Sequence, residues 1–136
     1  MPRFINTAIF INTLNQAIIK ELRLKSIKIK PLSVNEAWQG RRYKSSKYQK
    51  FSNEVNLRLA LVKKEVVEDR PLGIHYKFHI SNMNTDVDNL IKAFQDVLFK
   101  WLGIDDRRIA KLVAEKVKCA KGQEKIEWEI FEVKTI

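Results

Sequence analysis

The stretch Asn84-Thr85-Asp86-Val87-Asp88-Asn89-Leu90-Ile91-Lys92 decides how this chain folds, because the hydropathy period changes across it. Before it, Leu72, Ile74, Tyr76, Phe78 and Ile80 alternate with His75, Lys77 and His79. That period of two predicts a half-buried strand. After it, Leu90, Phe94, Val97, Leu98 and Trp101 recur at helical spacing, which predicts a helix from Leu90 to Leu102 with a core-facing stripe. Asp86 and Asp88 therefore lie at a strand-to-helix junction. Asp86 closes the extended segment, and Asp88 is placed to be the N-cap, since its oxygen can accept from the free N–H groups of a first helical turn.

A second acidic pair, Asp105-Asp106, follows the far end of that helix, just past Gly103. Oxygen ligands from separate segments suit Mg²⁺, which takes few carboxylates and keeps several waters. Asp88, Lys92 and Asp96 also recur every four residues on another side of the helix, so each carboxylate is within reach of the lysine. Read alone, that row is a cap and a solvated salt-bridge ladder. On a basic chain, however, clustered carboxylates are out of character unless a cation sits among them. His75 and His79 are the other candidate ligands, but a hard ion prefers oxygen, so both read as exposed strand residues.

The whole composition points the same way. Lysine and arginine number 26 against 16 aspartates and glutamates, a formal charge of +10. Such an excess attracts polyanions, of which nucleic acid is the commonest. The 136 residues make one domain with room for a core. The single cysteine, Cys119, excludes an intramolecular disulfide and a cysteine zinc site, and suits a reducing compartment, the cytoplasm.

Asp86-x-Asp88-Asn89-x-x-Lys92, then Asp96-x-Leu98, then Gly103-x-Asp105-Asp106, resembles the motif of the RusA-type Holliday junction resolvases. Pro31-x-Ser33-x-Asn35, followed by Trp38, Arg41 and Lys44, is similar to that family's upstream motif, and the resemblance spans about residues 26 to 134. It implies a small α/β homodimer that binds four-way DNA junctions and cuts them with Mg²⁺. By the same resemblance Asp86, Asp88 and Asp106 are catalytic acids and metal ligands, and Lys92 is a catalytic or phosphate-contacting base. Asp106 is favoured over Asp105 on this ground. Where such proteins carry arginines before the first Asp, this chain has Ser81-Asn82-Met83-Asn84-Thr85.

The remaining segments fill in the order. In residues 1 to 24, Ile11, Leu14, Ile18 and Leu22 share a helical face, which predicts an N-terminal helical extension to an endonuclease domain at 25 to 136. Asn6, Asn12, Asn15 and Gln16 interrupt its apolar run and exclude a membrane span. Lys25 to Lys30 reads as a strand ending at Pro31, and Leu32 to Lys47 as a loop. Arg41, Arg42, Lys44, Lys47 and Lys50, on this loop and the helix after it and interleaved with Trp38, Tyr43 and Tyr48, are the candidate DNA contacts. From Ser46 a helix buries Phe51, Val55, Leu59 and Val62. Ile109 to Cys119 and Glu124 to Val133 read as strands joined by a turn at Lys121-Gly122-Gln123.

The expected fold is α/β, a single small mixed sheet of about four strands with helices packed on one face. The expected function is a Mg²⁺-dependent endonuclease that resolves branched DNA. A metal-dependent nuclease for another branched or single-stranded substrate is one alternative. A basic nucleic-acid-binding module, with an acidic cluster that merely caps a helix, is the other.

Overall fold

The computed structural model describes residues 24–39, 43–64 and 70–133. Strands β1 (Lys25–Ile27), β4 (Leu72–Ile80), β5 (Ile109–Lys118) and β6 (Lys125–Glu132) form one sheet in the order β1-β6-β4-β5. The sheet is mixed: β4 runs parallel to β5 and antiparallel to β6, which is antiparallel to β1. Helices α1 (Val34–Ala37), α2 (Ser46–Leu59) and α3 (Ile91–Leu102) complete the α/β fold. A two-residue ribbon pairs β2 (Trp38–Gln39) with β3 (Tyr43–Lys44), inside the segment expected to be loop.

The period-two face of β4 is the floor of the core. Leu72, Ile74, Tyr76, Phe78 and Ile80 are buried with Ile126, Trp128 and Ile130 of β6. The α3 stripe covers them through Leu90, Ala93, Phe94, Val97, Leu98 and Phe99, with Trp101 only partly buried. Phe94 meets Trp128 at 5.3 Å between ring centroids and Tyr76 edge-on at 6.0 Å. Helix α2 closes the layer with Tyr48, Phe51, Val55 and Leu59; its N-cap Ser45 accepts from the Tyr48 N–H.

Two expectations shift, at β1 and at the two histidines. β1 stops at Ile27, opposite Ile126, and 28–30 run on outside the strand, although Ile29 is still buried. The turn around Gly122 exists, at φ 91°, yet β5 and β6 are not neighbours, since β4 lies between them. His75 and His79 are half-buried, paired with Glu115 of β5 and Glu127 of β6, so they are structural rather than open. The helix predicted in 1–24 lies outside the described residues, apart from exposed Leu24. No described helix is long and apolar enough to cross a membrane.

Candidate active site

The strand-to-helix junction is built from an open loop and a tight turn. After β4, residues 81–86 lead into a 3₁₀ turn at Val87–Leu90, and α3 begins only at Ile91. Asp86, extended at φ −68° and ψ 140°, occupies the cap position of that turn, with no side-chain cap bond. Asp88 falls inside the turn, so the expected N-cap role is corrected. The backbone provides the cap contact instead, Asn89 N–H donating to the Asp86 carbonyl at 3.2 Å. Both carboxylates are exposed. Neither has an ion-pair partner among the described residues. A capping carboxylate would be committed to N–H groups; these two are open to solvent.

Two lysines hold the loop from behind. Lys116 Nζ donates to the carbonyls of Met83 and Thr85 at 2.9 and 3.1 Å, and Lys118 Nζ to that of Ser81 at 2.8 Å. Both sit on the core-facing parity of β5, opposite Phe78 and Ile80. A sequence reading passes over them, though lysines at apolar parity were the available signal. They set cations beside a loop that lacks the arginines expected there.

Along α3, Lys92 pairs with Asp96 at 3.6 Å, as the four-residue spacing requires. Asp96 also lines a cleft of about 760 Å³ between α2 and α3, with Lys44, Tyr48, Lys100, Trp101, Asp105 and Asp106 on its walls. The structure thus gathers Asp96 and Asp106 at one cleft. Asp86 and Asp88, at the 3₁₀ turn that precedes α3, do not line that cleft. Asp86, Asp88 and Asp106 are consequently not collected into one tight set. Among the described residues, no three His, Cys, Asp or Glu side chains form a group that could hold a metal ion.

The donor chemistry still fits Mg²⁺. All the candidates are carboxylates, and that ion is commonly bound by one or two of them while water and substrate phosphates complete its shell. An open, exposed pair such as Asp86 and Asp88 meets that need without a cage.

Asp105 and Asp106 part ways physically. Gly103, at φ 71°, ends α3 in the left-handed conformation that favours glycine, and Ile104 N–H closes back on the Phe99 carbonyl. Asp105 follows as the cap of a second 3₁₀ turn, Asp106–Arg108. Its carboxylate accepts from the Arg107 backbone N–H at 2.9 Å and from Nε and Nη2 at 2.9 and 2.7 Å. These bonds hold the Asp105 carboxyl below the usual carboxylate range. Asp106 lies inside the turn, not on extended chain as expected, and is half-buried in the cleft. It accepts from Gln95 Nε2 at 3.5 Å, and Gln95 Oε1 accepts from the Tyr76 hydroxyl at 2.9 Å. Burial, then the charges of Asp106 and Asp96, push the Tyr76 phenol well above its ordinary value, so it stays a donor.

The candidate DNA contacts divide. Lys44 lies in the Asp106 cleft, its ammonium 4.5 Å from the centre of the Tyr48 ring. Lys47 and Lys50 line a separate hollow of about 310 Å³ with Lys30 and Glu54. Arg41 and Arg42 lie outside the described residues. Lys100 and Trp101 were not singled out from the sequence, because helical spacing assigned Trp101 to the core.

No curated protein was found to match the chain. The family model described as endodeoxyribonuclease RusA matches residues 29–130, a span that holds both acidic pairs, Lys92, the cleft, β4, β5 and most of β6. This chain accordingly belongs to the RusA endodeoxyribonuclease family and is a nuclease.

Proposed function

We propose that this protein is a Mg²⁺-dependent, structure-selective endonuclease that resolves four-way DNA junctions by paired incisions, in recombination and repair in the cytoplasm. The observation that carries the reading is the family match across a span containing Asp86, Asp88, Lys92 and Asp106. Asp86 and Asp88, exposed on one short turn, would hold the ion through carboxylate oxygens, and the family pattern assigns the same role to Asp106, which the described fold does not gather with them. The chemistry the ion supplies when bound is Lewis acidity toward the attacking water and the phosphate oxygens.

The chain's own groups do the rest. Lys92, with an exposed side chain, adds a point charge near the scissile phosphate or its leaving oxygen. Lys44 and Lys100 draw a strand into the cleft, where Trp101 offers a partly exposed ring for base stacking. Arg41, Arg42, Lys47 and Lys50 grip the arms through phosphates, which positions the junction without reading its sequence. Two cuts on a two-fold substrate are matched by a two-fold homodimer.

Purified protein with Mg²⁺ is tested on a four-way junction beside a linear duplex of the same sequence. Paired cuts in the junction alone are expected, from a particle that light scattering sizes as a dimer. Cleavage of neither substrate refutes catalysis, and equal cleavage of both refutes structure selectivity.

A further inference from the structure

Tyr76 and Gln95 stand nineteen residues apart in sequence and form one line in space that ends on Asp106. The line starts in the buried core. Tyr76 is fully buried, stacked on Phe78 at 5.4 Å and edge-on to Phe94 at 6.0 Å. Its hydroxyl donates to Gln95 Oε1 at 2.9 Å, and Gln95 Nε2 faces Asp106 Oδ2 at 3.5 Å.

The direction of this line is forced. An amide is planar, with its acceptor on one side and its donors on the other. Turned over, Gln95 would set its oxygen against the Asp106 carboxylate, acceptor to acceptor. The carboxylate therefore selects this orientation, and the phenol, which can donate or accept, donates to the oxygen that then faces it. Asp105, the adjacent carboxylate, has its bonds from Arg107 instead, and both of those side chains are exposed. Only Asp106 is tied to the core, and the amide engages one of its two oxygens. The other is left to a ligand. Carboxylates that ligate metals are commonly held by such outer hydrogen bonds.

We propose that Gln95 is a positioning residue for Asp106, oriented by Tyr76, and that this pair fixes the carboxylate toward the divalent cation. This rests on reading Asp106 as a metal ligand. Neither residue belongs to the Asp-x-Asp-Asn-x-x-Lys pattern.

The test uses the full chain without DNA and Mn²⁺ as the probe, its free-ion signal followed by electron paramagnetic resonance. Gln95→Leu should raise the Mn²⁺ Kd about 10-fold, the lower end for loss of such a partner because the contact to Asp106 is long. Tyr76→Phe should shift it the same way by a smaller factor. The double variant should be no weaker than Gln95→Leu alone, since one line is broken either way. In metal-free protein the Gln95 side-chain amide resonance should move in both Tyr76→Phe and Asp106→Asn. Melting curves confirm that each variant is folded, and Tyr76→Phe, which keeps the ring, guards against misfolding of Gln95→Leu.

Asp106→Asn is the control for the underlying reading. If it leaves Mn²⁺ affinity unchanged, Asp106 is no ligand, and the reading and the inference fall together. If it weakens Mn²⁺ while Gln95→Leu and Tyr76→Phe do not, the inference alone is overturned. Additive losses in the double variant would also overturn it.

Discussion

Tyr76→Phe makes a prediction about stability whose sign changes with pH. At neutral pH the substitution keeps the ring, which is fully buried, and removes only the hydroxyl that donates to Gln95 at 2.9 Å. Losing one such bond costs about 1 kcal/mol, so the variant is less stable by about that amount. In alkali the order reverses. Burial and the charges of Asp106 and Asp96 raise the folded-state value of this phenol above 10.0, whereas the unfolded chain ionises near that ordinary value. Above it the unfolded state binds fewer protons than the folded one, so the contribution that is complete below pH 10 is lost as the pH rises. The limiting slope for one proton is about 1.4 kcal/mol per pH unit. Phenylalanine has no such slope. The two stability curves should therefore meet about 0.7 of a pH unit above 10, where the proton-linked loss equals the lost hydrogen bond. Urea melts of both proteins at closely spaced pH values from 8 to 11 measure this directly, and the difference between them cancels the other titrating groups. A difference that stays constant over that range refutes the buried, proton-retaining hydroxyl and the line that starts from it.

The remaining predictions address the site and the sheet. Asp106→Asn should cut Mg²⁺-dependent junction cleavage by about 10²-fold or more, as should Asp88→Asn, while Asp105→Asn keeps a measurable fraction, because its carboxylate serves Arg107. Single-turnover rates decide it, and activity surviving in Asp106→Asn but not in Asp105→Asn reverses the assignment. Gly73→Ala would place a Cβ 2.1 Å from the Phe131 ring on the neighbouring strand, so it should destabilise by about 1–3 kcal/mol. Adding Phe131→Ala should return much of that loss, which denaturant midpoints report. Lys44→Ala should weaken junction binding evenly across sequences and lower its salt slope by about 1, more than Lys47→Ala, since Lys44, unlike Lys47, shares the cleft with Asp106.

Much of this protein was legible in the sequence because it is encoded locally. The alternation from Leu72 to Ile80 specifies β4 and its buried face, since neighbouring side chains on a strand point to opposite sides whatever the partner. The change of period after Asp88 specifies α3, and the left-handed Gly103 ends it. The acidic pair at the junction and the Lys92–Asp96 contact follow from spacing along one short segment.

What only the tertiary structure decided depends on segments that meet from far apart. A turn at Gly122 cannot say that β4 will lie between the strands on either side, because the strand order is set by which faces bury together. Lys116 and Lys118 reach the loop of 81–86 only through the parallel register of β5 on β4. Local sequence left Asp105 and Asp106 equivalent. The Gly103 turn and the return of the chain along α3 give the first to Arg107 and the second to Gln95 and the cleft. A hydrogen bond needs its two atoms within about 3 Å and aligned, and no spacing pattern carries that information between residues on different elements.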